Sequence, residues 1–147
     1  MIQYNHTPSN LDLVIDLRAS APAYVQIMMG IEGRILDGSL TPGEQLPTVR
    51  QLAAELAINF NTVARAYRML DQAGLITTQQ GRGTFVLDSQ EAHGKLRREV
   101  LNDLTSQYLA EIDRLGLTPE EVRASFQQQF ERWQGEGEID AQDLAQE

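Results

Sequence analysis

Apolar positions along this chain recur first at strand spacing and then, over most of its length, at helical spacing. Leu11, Leu13, Ile15 and Leu17 recur at every second residue, which predicts a short strand with one buried face. Asp12 and Asp16 then occupy its solvent side, a simpler reading than a carboxylate pair for acid–base chemistry. From Pro22, which suits a first helical turn, the spacing becomes helical. Tyr24, Ile27, Met28, Ile31 and Ile35 form one stripe, and Met28 and Met29 read as core filling. Gly38 and the Thr41-Pro42-Gly43 turn end this first helix, and Glu44 to Pro47 leads onward.

Two short helices follow. Thr48-Val-Arg-Gln51 has the form of a capping box, and Val49, Leu52, Ala53 and Leu56 continue at i, i+3, i+4 and i+7. Only a tight turn fits before Asn59, a second candidate cap, with Gly74 as the stop. At about 100° per residue, Val63, Tyr67 and Leu70, flanked by Ala66, share one stripe. Asn61, Arg65, Arg68 and Gln72 share the opposite one. Arg pairs with guanine and Asn or Gln with adenine, each pairing discriminating by about 1–3 kcal/mol. Such a face also suits an ordinary solvated helix. The helix before it favours a helix-turn-helix, whose second helix enters a major groove.

Leu75–Gln80 and Thr84–Leu87 are rich in strand formers, with Gly81-Arg82-Gly83 between them as the expected turn. Behind a helix-turn-helix, such a hairpin reads as a wing. Its Arg82 is placed to enter a narrow minor groove, where negative potential is enhanced.

Asp88 to Gly94 reads as a polar linker. Beyond Lys95, Leu96, Val100, Leu101, Leu104, Tyr108, Ile112 and Leu115 line one broad helical stripe. Glu111 breaks a strict heptad, so bundle packing is expected rather than a coiled coil. Gly116 stops that helix, and Thr118-Pro-Glu-Glu121 opens another with a second capping box. Val122, Phe126, Phe130 and Trp133 follow at helical spacing. A two-helix hairpin has too little interior for so many large apolar groups, so a partner surface is expected, most simply a second copy of the chain. The alternative is that the hairpin folds back on the domain before it. The expected dimerisation residues are Leu101, Leu104, Tyr108, Ile112, Leu115, Phe126, Phe130 and Trp133.

The run Pro42-Gly-x-x-Leu-Pro-Thr-x-Arg-x-Leu-Ala54, then Asn59-x-Asn-Thr-Val-x-Arg-Ala-Tyr67, Gly74-Leu-Ile and Gly81-Arg-Gly-Thr-Phe-Val86, resembles the GntR family of bacterial transcription regulators. Ala23-Tyr-Val-Gln-Ile27 is similar to that family's first-helix signature, so the likeness spans roughly residues 12–87. The signature around Asn59 and the short C-terminal segment most resemble the YtrA subfamily. That resemblance implies a two-helix dimerisation unit in place of a large effector domain, and control of transporter operons. It carries DNA contacts onto Arg50, Asn61, Thr62, Arg65, Gln80, Gly81 and Arg82. Two positions depart from relatives. Phe60 stands where Arg or Pro is frequent, and Ala64 replaces an arginine of other subfamilies, which suggests a different half-site sequence.

Composition adjusts this picture in one respect. A net charge of −9 opposes DNA binding, but residues 1–87 carry six arginines against seven acids, and residues 88–147 six bases against fourteen acids. Within 45–87, four arginines face only Glu55 and Asp71. A modest phosphate count and a shallow salt dependence are expected. There is no cysteine, no apolar run of membrane-spanning length and no signal-peptide pattern in Met1 to Asn10, so a cytoplasmic protein is expected. His6 and His93 lack metal-ligand spacing, Gly81-Arg-Gly83 lacks the Gly-Lys-Ser/Thr of a phosphate loop, and no enzyme constellation is evident.

The expected fold is mainly α with a small β wing (a winged helix-turn-helix) plus a C-terminal two-helix dimerisation hairpin. Residues 1–20 form an N-terminal arm, 21–87 the DNA-binding domain, 88–94 the linker, 95–133 the hairpin and 134–147 an acidic flexible tail. The expected function is a sequence-specific regulator, a repressor, binding double-stranded DNA as a homodimer on an inverted repeat. It requires no cofactor, and any small-molecule effector is unknown. The candidate DNA contacts are Thr48, Arg50, Asn61, Thr62, Arg65, Arg68, Gln80, Gly81, Arg82 and Gly83. The competing reading is a winged-helix protein-interaction module without DNA binding.

Overall fold

The computed structural model describes residues 11–87 and 89–143, with side chains as far as residue 135. The first ten residues of the expected arm and the last four of the expected tail lie outside the described residues. The element order is α1 (Ala23–Leu36), β1 (Gln45–Leu46), α2 (Val49–Leu56), α3 (Phe60–Ala73), β2 (Ile76–Gln79), β3 (Gly83–Val86), α4 (Gln90–Asp113) and α5 (Pro119–Asp143). Backbone packing divides the chain into two compact units, with the division between Asn102 and Asp103, inside α4.

In the first unit, α3 packs on both α1 and α2. The predicted stripe of α1 is buried: Tyr24, Ile27, Met28, Ile31 and Ile35 meet Leu52 and Ala53 of α2 and the inner face of α3 in one core. Both bonds of the first capping box form. Thr48 Oγ1 accepts from the Gln51 amide at 3.1 Å, and Gln51 Oε1 accepts from the Thr48 amide at 2.9 Å.

The alternating stretch from Leu11 to Leu17 is not a strand. It has no ladder partner, although the period-two burial survives as far as Ile15, with Leu11 only 1 % exposed. Side chains of α1 take the place of a neighbouring strand. Gln26 accepts from the Asp16 amide at 2.9 Å and donates to its carbonyl at 2.8 Å, while Arg34 donates to the Asp12 carbonyl at 2.8 Å. Leu13 seats directly on Gly30, where an added Cβ would come within 2.6 Å of its Cδ2.

The wing sheet gains its third strand elsewhere, from the connection before α2. It is antiparallel in the order β1-β3-β2, with Gln45 opposite Phe85 and Leu46 opposite Thr84. Its turn is also one residue earlier than expected. Gly83 pairs with Gln79 as the first residue of β3, so the loop is Gln80, Gly81 and Arg82, closed by the Arg82 amide donating to the Gln79 carbonyl at 3.0 Å.

The expected linker of residues 88–94 is helical from Gln90 onward, while Asp88 lies outside the described residues. Within α4, Ala92, His93, Leu96 and Val100 are buried in the first unit. There Glu32 of α1, 3 % exposed, accepts from Arg97 Nε at 3.2 Å and lies 3.1 Å from His93 Nδ1. A buried carboxylate needs such partners, because desolvation strongly disfavours an isolated charge. Lys95 adds a bond to the Gln72 carbonyl at the end of α3, at 2.8 Å.

The second unit contains the later turns of α4 and all of α5. The second capping box is present, with Thr118 Oγ1 accepting from the Glu121 amide at 3.3 Å and Glu121 accepting from the Thr118 amide at 2.8 Å. Donation from the Thr118 amide, and then from the Thr118 hydroxyl at 3.1 Å, holds the Glu121 carboxyl below its usual range. The α5 helix continues through Asp143, well into the stretch expected to fray from residue 134.

Helices α2 and α3 end in the same way. Ile58 donates to the Ala53 carbonyl and Leu75 to the Leu70 carbonyl, both at 3.0 Å, around a left-handed residue. At α3 that residue is Gly74, with φ of 88°, but at α2 it is Ala57, with φ of 52°. An L-residue with a Cβ pays about 1–2 kcal/mol for that conformation. Replacement Ala57→Gly is therefore expected to stabilise the protein by about 0.5–1 kcal/mol, read from the urea midpoint, despite the added freedom of glycine when unfolded.

Candidate nucleic-acid interface

The polar face of α3 is created by what its other face must do. Val63, Ala66, Tyr67, Leu70 and Ala73 are all buried, so rotation about the helix axis is fixed. Asn59 caps the first turn by accepting from the Asn61 amide at 2.8 Å. Asn61, Arg68 and Gln72 are thereby left exposed on the outer stripe, with Thr62 half-buried beside them.

Arg65 differs from that group. Its guanidinium lies 4.0 Å above the ring centroid of Tyr24 from α1, and the side chain is half-buried. A cation over an aromatic face gains about 0.5–2 kcal/mol, so Arg65 occupies a definite place beside α1. Helical spacing could put Arg65 on the polar stripe but could not reveal this stack.

On α2, Arg50 is exposed in the first turn, and exposed Thr48 uses its hydroxyl oxygen as the helix cap. On the wing, Gln80, Gly81 and Arg82 form the exposed loop, and Gly83 is half-covered. The Gln45 side chain crosses from β1 to donate to the Arg82 carbonyl at 3.4 Å. Gly83 has φ of 128°, which strains any residue with a Cβ, and a Cβ there would also push the Gln45 side-chain amide aside. The partnership of Gln45 with the loop became visible only when β1 joined the sheet.

Asp71 accepts from the Thr78 amide at 3.3 Å. Tyr67, in the stretch quoted above from Asn59, serves the framework: its hydroxyl donates to the Pro47 carbonyl at 2.6 Å, tying α3 to the segment that enters α2. Burial, and then the nearby charge of Glu55, raise its pKa well above 10.

The expected dimerisation residues divide by exposure. Leu101, Tyr108, Leu115, Phe126, Phe130 and Trp133 are exposed, Leu101 by 63 % and Trp133 by 68 %, while Leu104 and Ile112 are half-buried. Phe126, Phe130 and Trp133 stack in a row along α5, with centroid separations of 6.0 and 5.6 Å. A groove of about 500 Å³ runs between α4 and α5, lined by Tyr108, Leu109, Ile112, Leu117, Val122 and Phe126 among others. Among the described residues, no cluster of His, Asp and Glu is suited to a metal ion, and no helix is long and apolar enough to cross a membrane.

Residues 23–86 match the family described as bacterial regulatory proteins, gntR family. The HTH-type transcriptional regulator YhcF of Bacillus subtilis, itself uncharacterised, is 32 % identical over 105 residues, covering 71 % of this chain and 87 % of YhcF. The chain belongs to the GntR family. It is a DNA-binding transcription regulator with a winged helix-turn-helix, and its family and relatives are regulators rather than enzymes. This GntR protein is also similar to the transcriptional repressor YtrA of B. subtilis, at 43 % identity over 75 residues, covering 51 % of this chain and 58 % of that one. The solved structure of YtrA from Sulfolobus acidocaldarius, a GntR-family transcription factor, matches at 35 % identity with a TM-score of 0.51, covering 67 % of this chain and 97 % of that chain.

In this GntR regulator, Tyr67→Phe is expected to cost about 1 kcal/mol at neutral pH by leaving the Pro47 carbonyl without its donor. The pH dependence has a definite sign. Above pH 10 the unfolded tyrosine loses its proton while the folded one keeps it, so stability falls as pH rises. Urea unfolding from pH 9 to 11 should show a shallower fall for Tyr67→Phe than for the parent chain.

Proposed function

We propose that this regulator acts as a homodimer that sets α3 of each subunit in a major groove of an inverted-repeat operator and represses transcription there. The observation that carries the reading is the fixed rotation of α3, which buries one stripe completely and leaves Asn61, Arg68 and Gln72 outward. Asn61 and Arg65 read base edges, with Arg65 steadied by the Tyr24 ring. Thr48, Arg50, Thr62 and Arg68 contact phosphates, which position the helix without reading sequence. The loop Gln80-Gly81-Arg82, together with Gly83, approaches the neighbouring groove, where Arg82 meets the negative potential of a narrow minor groove.

The hairpin formed by α4 and α5 supplies the dimer contact. Its uncovered aromatic row on α5 and exposed Leu101, Tyr108 and Leu115 support this, since large contiguous apolar surface marks an interaction site. Two hairpins joined about a twofold axis make a four-helix unit, and twofold symmetry gives half-site centres about one helical turn or a multiple apart. The repressor names carried by similar proteins favour negative control. A cytoplasmic location follows from work on DNA.

Selection of bound duplexes from a random pool, with solution molar mass measured on the same sample, tests the proposal. The expected results are twice the chain mass and an enriched palindrome. On that palindrome, Arg65→Ala should relax preference at one base pair per half-site. Arg50→Ala should instead weaken binding to all sequences alike and reduce the salt slope by about 1. A pool without palindromic enrichment, or a monomer that binds as well as the parent mixture, would count against it.

A further inference from the structure

Phe60 is the first residue of α3, and its side chain is 51 % exposed. Among the described residues of the first unit it is the one aromatic side chain left on the surface, since Tyr24 and Tyr67 are buried and Phe85 is half-covered in the sheet. It lies outside the buried stripe of α3, which begins at Val63, and among the described residues no ring contact involves it. The cap at Asn59 fixes its backbone, so the ring projects from a defined position next to Asn61.

We propose that Phe60 reads thymine by packing its ring against the 5-methyl group in the major groove. The inference rests on the regulator reading above and deepens it by naming a base that α3 recognises. Three features carry it. Residues at the N-terminal end of a recognition helix are those that contact base edges. The thymine methyl is the apolar feature on the major-groove edge of a base pair, and apolar side chains, Phe among them, recognise it by contact. The exposed ring also lacks polar groups, so it cannot satisfy the amino or carbonyl groups of the other bases and leaves them unpaired where it covers them. A methyl-lined edge is the one such a ring covers without loss. Phe60 thus acts by exclusion as well as by attraction, beside the hydrogen-bonding Asn61.

Single thymines of the selected half-site replaced by deoxyuridine provide the test, because the change removes one methyl group and preserves base pairing. At one thymine position per half-site, the parent protein should lose about fourfold in affinity, the value of one buried methyl group. Phe60→Ala should bind thymine and uracil duplexes equally at that position, and Phe60→Leu should retain part of the difference. Circular dichroism melting of both variants should match the parent, as the position is exposed. If the parent selects a palindrome but loses nothing at any uracil, or if Phe60→Ala keeps the loss, the Phe60 assignment falls and the regulator reading stands. If the protein selects no sequence at all, both fall together.

Discussion

The whole arrangement depends on one packing constraint: α3 has a single apolar face, and that face is buried against α1, α2 and the start of the wing sheet. Val63, Ala66 and Leu70 are fully enclosed, and their side chains cannot leave the core without losing several kcal/mol of burial. Rotation of α3 about its axis is therefore fixed. Asn61, Arg68 and Gln72 face outward because Val63 and Leu70 face inward. Function here is the complement of a core, and the polar stripe needs no separate device to orient it.

Around that constraint, side-chain bonds do work that longer elements do in larger domains. A two-residue strand, β1, closes the wing sheet, and the Gln45 amide steadies its tip. Gln26 and Arg34 hold an extended segment that has no strand beside it. Tyr67 joins α3 to the entry of α2, and Glu32 joins α1 to α4 through His93 and Arg97. At buried Glu32 the bonds satisfy a carboxylate that the core would otherwise leave unpaired, and unpaired buried groups cost more than formed bonds return. The acidic balance of the chain is compatible with DNA work because most of the acid lies beyond residue 87, outside the stretch of sequence that forms α3 and the wing.

Much of this was legible in the sequence where local rules and packing agree. Both capping boxes, at Thr48 and Thr118, formed as their spacing implied, and the apolar stripes of α1 and α3 are buried as periodicity required. The motifs that resemble the GntR family led to the family shown by the comparisons. What escaped depends on contacts between distant residues. Period two from Leu11 to Leu17 reports alternating burial, and α1 side chains produce that alternation without a strand. The Gly81-Arg82-Gly83 run suggested a turn one residue late, because register against β2 decides which glycine pairs. The polarity of Asp88 to Gly94 hid a helix start, since His93 is buried against Glu32 from 61 positions away. One signal was available for that contact: Glu32 interrupts the apolar stripe of α1, and an acid in a buried stripe implies a partner. The Tyr24–Arg65 stack left no trace in spacing at all.

Chemical-shift mapping of the amide spectrum during titration with a selected operator duplex tests the central claim most directly. The account predicts the largest changes at Asn61, Thr62, Arg65 and Arg68 of α3 and at Gln80 to Arg82 of the wing, with Val63 and Leu70 little affected beyond what their neighbours transmit. Changes confined to α4 and α5, or displacement of the buried stripe of α3 from its core when DNA binds, would contradict it.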